Sequence, residues 1–166
     1  MSIIEFSQPP QANPLDVIEQ MATIRSWAFE RDTEDEVTLF VSGRLTDYNL
    51  SFTWMNDLEA MHLACAFDLK APARSRSELL KLVSLVNEQM WIGHFDFWGK
   101  DGLVMFRQAL ILAGVRTASD RQCDALLSTA VEACERYYPA FQYVTWAGKT
   151  AREALQATLF ETSGEA

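Results

Sequence analysis

The sequence predicts an α+β fold in which an antiparallel sheet carries its helices on one face. Three observations lead there. Short runs alternate apolar and polar residues, as half-buried strands do. Pairs of these runs face each other across turn-length gaps, which makes the sheet antiparallel. Stripes of helical period occupy separate segments before, between and after the strands. In order, the chain reads as one helix, about four strand-like pieces, a helix, a hairpin and C-terminal helices.

At 166 residues, 49% of them hydrophobic, the chain has the size of one domain and can bury a core. Residues 1–12 hold Pro9 and Pro10 and few large apolar side chains after Phe6, and are expected to form a flexible arm. Order should begin at "NPLDVIEQMATIRSWAF" and span 13–160, leaving 161–166 as a polar tail. Asn13 can cap the first helix, Pro14 suits its first turn and Asp16 its positive end. Leu15, Ile18, Met21 or Ala22, and Arg25 step around at helical spacing, to about Trp27.

"AFER", "EVTLFV", "YNLSFTWM" and "LEAMHLACAFDL" follow as strand-like pieces. A two-residue turn at Asn56 and Asp57 would set Phe52 opposite Met61, Leu50 opposite Leu63 and Tyr48 opposite Cys65. Ser51 would then meet His62 and Asn49 would meet Ala64, with Trp54 opposite Glu59 as the one mixed pair. A slip of one residue would swap the faces of one strand, so this agreement supports a hairpin.

"SRSELLKLVSLVNEQMW" is the second helix, with Ser75 and Glu78 at capping-box spacing and Leu79, Leu82, Val83, Val86 and Met90 on one stripe. Leu80 and Leu85 extend its apolar character around the helix, which predicts a sheet on one side and a second subunit on the other. "WIGHFDFWGKDGLVMFRQAL" is the second hairpin, looping at Gly99–Gly102. Trp98 pairs with Leu103, Phe97 with Val104, Asp96 with Met105, Phe95 with Phe106 and His94 with Arg107. A long helix capped by Ser119 and Gln122 follows; Pro139 should kink or break it. Gly148 ends it, and Thr150 with Glu153 opens a short last helix.

Fourteen Lys and Arg against 23 Asp and Glu give a formal charge of -9, with a pI near 4.7. Such a surface opposes phosphate, so nucleic acid and anionic membrane are poor partners, and a basic or partly unfolded polypeptide is a better one. No basic leader or long apolar run is present, which predicts a cytoplasmic protein. Cys65, Cys123 and Cys134 lack metal or disulfide spacing and read as reduced, buried thiols.

His94 beside Asp96 is the one arrangement with a catalytic look, since a carboxylate can orient and charge an imidazole. Arg107 across the hairpin offers Asp96 a diagonal ion pair instead, and that structural role fits the strand geometry better. His62 has too few companions for a metal site. "WAGKT" lacks the first glycine of a phosphate loop, because position 143 is Tyr. No catalytic residue, metal or cofactor is therefore assigned.

"NPLDVIE", "YNLSFTWMNDLEAMHLACAFDLK", "LVNEQMWIGHFDFW", "VMFRQALILAG" and "CERYYPAFQYVTWAGKTAREAL" resemble the YbjN-like family in its alphaproteobacterial form, over about residues 13–160. The resemblance implies a fold similar to the class I type III secretion chaperones, in the order α-β-β-β-α-β-β-α. Those chaperones are small acidic cytosolic homodimers that hold a partner in non-globular form, and family members carry the label of sensory-transduction regulators. The expected function is thus a non-enzymatic, protein-binding or chaperone-like regulator: a homodimer with a protein client. Trp54, Leu80, Leu85, Met90, Trp91, Trp98 and Met105 are its expected dimer or partner contacts, each at a position its element could leave uncovered. The alternative is a sensor domain holding a small ligand in an enclosed pocket between sheet and C-terminal helices.

Overall fold

The structure, a computed structural model, describes residues 12–164. The expected flexible arm lies outside the described residues except for Ala12. Helix α1 (Leu15–Ile24) is introduced by Asn13, whose Oδ1 accepts the Leu15 amide at 3.0 Å, with Pro14 at the N-cap. Leu15, Ile18, Met21 and Ala22 are buried. The helix stops short of Trp27 because Ser26 turns to φ 57°, after which the Trp27 amide donates back to the Ala22 carbonyl at 2.9 Å.

Strands β1 (Ala28–Thr33), β2 (Glu36–Ser42), β3 (Asp47–Met55) and β4 (Ala60–Lys70) follow, then α2 (Arg76–Asn87), β5 (His94–Trp98), β6 (Leu103–Ile111), α3 (Asp120–Thr145) and α4 (Ala151–Gly164). The fold class is the expected one. Its order departs from the resemblance at two places: four strands rather than three precede α2, and two helices close the chain. The added strand β1 is held by its ladder to β2 and by Arg31, which pairs with Glu19 of α1 at 2.9 Å. Helix α4 runs four residues into the expected tail, to Gly164.

The six strands form one sheet in the order β1-β2-β3-β4-β6-β5, with every neighbouring pair antiparallel. Helix α1 packs on β1 to β3, α3 on β4 and β6, and α2 on β5. The face they share carries Leu39, Leu50, Phe52, Leu63, Cys65, Phe67, Phe95 and Phe106, all buried. Phe67 meets Tyr138 edge-on with centroids 5.2 Å apart, and Phe95 meets Tyr137 at 5.9 Å and Phe141 at 5.2 Å. Aromatic rings thus fill the layer between the sheet and the C-terminal helices. The other face of the sheet carries no helix among the described residues.

The β5–β6 hairpin has the predicted register at all five rungs. The β3–β4 register is displaced by two residues: Phe52 faces Leu63, Leu50 faces Cys65, Tyr48 faces Phe67 and Trp54 faces Met61. The faces survive because the displacement is even. Its cause is a wider turn, a short helical piece at Asn56–Leu58 closed by Glu59 at φ 47°.

Of the three capping boxes read from the sequence, Ser119 with Gln122 forms at 2.9 and 3.1 Å, and Thr150 with Glu153 at 3.3 Å both ways. Ser75 makes no side-chain cap, because it closes a 3-10 turn at Ala73–Ser75 and is itself helical, at φ -91° and ψ -11°, with its amide on the Pro72 carbonyl; the Glu78 Oε2 instead accepts the Ala151 amide at 2.9 Å, tying α2 to the start of α4. Pro139 does not break α3. An interior proline costs roughly 3 kcal/mol, and burial of the flanking Tyr138, Ala140 and Phe141, at about 1.5–3 kcal/mol for a large apolar side chain, outweighs it.

Candidate interaction surface

Helix α2 turns Leu79, Leu82 and Val86 into the core, and the 3.6-residue period leaves Leu80 on the outside, 56% exposed. Leu85 is half-buried, beside a groove of about 430 Å³ bounded by Glu78, Lys81 and Ser84 and by Thr150 to Arg152. Past the helix end, Met90 is half-buried and Trp91 stands 89% exposed. Both border a second groove, about 220 Å³, whose far wall is Thr129, Glu132, Ala133, Arg136 and Tyr137 of α3. Trp98, at the tip of β5, is 46% exposed. Leu80, Leu85, Met90 and Trp91 therefore lie along α2 and the segment after it, with Trp98 on the neighbouring strand.

Two expected contacts are covered by the chain itself. Trp54 is buried because the two-residue displacement of β3 on β4 sets it against Met61, inside the core. Met105 is buried between its cross-strand neighbours Asp96 and Ala66. Large apolar residues that sequence reasoning passed over are exposed elsewhere: Ile24 at the end of α1, Ile111 at the end of β6 and Phe160 in α4. Position off the buried stripe is the signal that could have found Ile24.

On the helix-free face, the His94 and Asp96 question has a structural answer. The partners of Asp96 are Arg107, whose guanidinium donates to Oδ2 at 3.2 Å, the Trp98 indole N–H at 3.3 Å, and the following Phe97 amide at 2.9 Å. The diagonal ion pair is the predicted one. Arg107 also donates its Nε–H to His62 Nε2 at 3.2 Å, a link that sequence reasoning missed because it depends on β4 pairing with β6. Burial, Arg107 and nearby His94 hold the His62 pKa below its usual value, so His62 is a neutral acceptor. The chain His62–Arg107–Asp96–Trp98 orders the sheet face; the carboxylate is already committed and does not orient His94.

All three cysteines are buried free thiols, and Cys65 and Cys134 bring their sulfurs to 3.6 Å. Burial and Asp120 push the Cys123 thiol up to about 11, and burial with the Cys65 contact raises Cys134 as well. Thiolates, the reactive form, are disfavoured here. Among the described residues no group of three or more His, Cys, Asp or Glu is placed to hold a metal ion, and no helix is long and apolar enough to cross a membrane.

Comparison with known proteins places this geometry. The fold is similar to the crystal structure of YbjN from E. coli, "a putative transcription regulator", at 10% identity and a TM-score of 0.53, covering 81% of this chain and 90% of that one. The ExsC–ExsE complex gives a TM-score of 0.49 at 11% identity, covering 76% of this chain and 93% of that one. No curated protein matches the sequence. Residues 14–143, from the start of α1 into the last turn of α3, match the family described as "Putative bacterial sensory transduction regulator", and the chain belongs to that family, YbjN.

Proposed function

We propose that the chain is a non-enzymatic, polypeptide-binding regulator of the cytoplasm that works as a homodimer and meets its partners through the surface along α2 and β5. The observation that carries this reading is Trp91, 89% exposed beside a groove walled by Tyr137 and Arg136. An indole left in water forgoes a large burial energy, and Trp, Tyr and Arg are the residues in which interfaces concentrate their binding energy. Leu80, on the outer side of α2, adds a second exposed apolar residue, and Trp98 adds one on the helix-free side of the β5 edge. The charge of -9 favours partners with basic segments, and the family's regulatory description agrees with a binding role. A ligand-sensing role would need an enclosed chamber under the sheet, where the rings of Phe67, Phe95, Tyr137, Tyr138 and Phe141 already touch.

Light scattering with wild type, Trp91→Ala and Leu80→Lys tests this. Wild type should run at twice 18.8 kDa. Truncation of an interface anchor costs on the order of 2 kcal/mol, about 30-fold in association, so Trp91→Ala should shift toward monomer without loss of folding stability. A wild-type chain that stays monomeric to high micromolar concentration overturns the homodimer.

A further inference from the structure

The two edges of the sheet are finished differently. At the β5 edge three of the four outward groups of Phe95 and Phe97 are taken: Asn87 donates its Nδ2–H to the Phe95 carbonyl at 3.0 Å and accepts the Phe95 amide at 2.8 Å, while Asp96 Oδ1 accepts the Phe97 amide. A strand arriving there finds both outward donors and one of the two acceptors already bonded. The β1 edge has no such cover among the described residues. Asp35 and Trp54 are bonded, as are Gly43 and Thr46, so by alternation the odd residues of β2 bond to β3 and its even residues to β1. Phe40 and Thr38 therefore bond Ala28 and Glu30, and the amides and carbonyls of Phe29 and Arg31 point away from the sheet. Among the described residues they have no hydrogen-bond partner.

The charge around this edge selects its occupant. Residues 28–36 carry five carboxylates, Glu30, Asp32, Glu34, Asp35 and Glu36, all exposed, against Arg31 alone. Arg31 is already neutralised by Glu19 and Asp16 of α1, at 2.9 and 3.6 Å. Glu30 lies on the helix-free face of the strand, opposite Thr38, where a neighbouring strand's side chains would stand beside it. A second copy would bring the same carboxylates to the same seam. Phe29, 37% exposed on the helix side, gives the edge one apolar contact point.

We propose that the β1 edge binds an extended, Lys- or Arg-bearing segment of a partner polypeptide by strand addition. Main-chain hydrogen bonds to Phe29 and Arg31 hold the segment, and its basic side chains lie along Glu30 and the carboxylates near it. This rests on the polypeptide-binding reading above but uses a different part of the molecule. Its test separates the two.

The probe is a labelled seven-residue peptide of alternating Lys and Val, titrated by fluorescence anisotropy, with a Glu-for-Lys peptide and an alternately N-methylated peptide as comparisons. The Lys peptide should bind at least tenfold more tightly than either comparison and weaken with added salt. Phe29→Pro removes only an outward amide, so it leaves the ladder to β2 intact; it should weaken binding at least tenfold with an unchanged circular dichroism spectrum. Glu30→Lys should do the same through charge and serves as a second variant should Phe29→Pro disturb the strand. Equal binding of methylated and unmethylated peptides, or no binding to wild type, overturns the proposal. So does conversion of a wild-type dimer to monomer by Phe29→Pro, because the edge would then join two copies. In none of these cases is an interface at Trp91 disproved, since the edge variants leave that surface untouched.

Discussion

Asn87→Ala removes the clamp on the outer edge of β5 and tests the edge asymmetry at its closed end. The amide side chain makes two hydrogen bonds to one residue, to the Phe95 amide at 2.8 Å and its carbonyl at 3.0 Å. Each is worth about 0.5–1.5 kcal/mol net, and both sit in a half-buried setting where water regains only part of what is lost. The expected loss is about 1–3 kcal/mol. With a urea m-value of about 2 kcal/mol/M, the midpoint should fall by roughly 1 M at constant slope. Asn87→Asp keeps the acceptor but sets a carboxylate against the Phe95 carbonyl, so it should recover little. Equilibrium urea unfolding gives the magnitude and amide exchange at Phe95 gives the location, since that N–H should lose protection ahead of its neighbours. A midpoint within about 0.2 M of wild type, with Phe95 exchange unchanged, would refute the reasoning.

Gly93 sits at φ 69° with the position of a Cβ only 2.2 Å from Phe106 Cζ in the core, so Gly93→Ala should cost about 2–5 kcal/mol by backbone strain plus overpacking, read in the same unfolding experiment. Because the folded state holds the His62 pKa below 6.5, the unfolded chain binds more protons just below that pH, and stability should decline as pH falls from neutral through 6.5. His62→Gln keeps an acceptor for Arg107 but does not titrate, and should flatten the dependence between pH 7.5 and 5.5; an unchanged slope would count against the His62–Arg107 link. Glu78, whose carboxyl is held below 4.5 by the Ala151 amide and Lys81, should instead add its loss of stability at more acidic pH. The thiols of Cys65, Cys123 and Cys134 should resist a thiol reagent in the native protein and all react in urea; prompt native labelling of any of them would contradict their burial.

The legible parts of the fold were those in which local chemistry decides. The β5–β6 register follows from a four-residue turn and strict alternation, and every rung stands where it was expected. For β3–β4, alternation fixes only the parity, and whether two or four residues make the turn is decided by Glu59 taking a left-handed conformation, which a glutamate does not advertise. Trp54 was misplaced as a consequence, since its expected partner near the turn became Met61 inside the core. Ser75 with Glu78 had the spacing of a cap, but a 3-10 turn makes Ser75 helical, and the Glu78 carboxylate goes to Ala151, 73 residues away. The link from His62 to Arg107 and the clamp of Asn87 on Phe95 share that character, because they are made by elements brought together only in the folded sheet. Trp91 could be singled out because it follows the last turn of α2, where the apolar stripe has ended; that it stands nearly free of its own chain is a fact of the tertiary structure.

A photo-crosslinking amino acid at position 91, compared in growing bacteria with the same group at the exposed Ala109 of the helix-free face, tests the central claim most directly. The account predicts discrete protein adducts from position 91, including a dimer of this chain, that position 109 does not give. Irradiation that leaves the position 91 protein wholly at 18.8 kDa, or yields the same adducts from both positions, would contradict it.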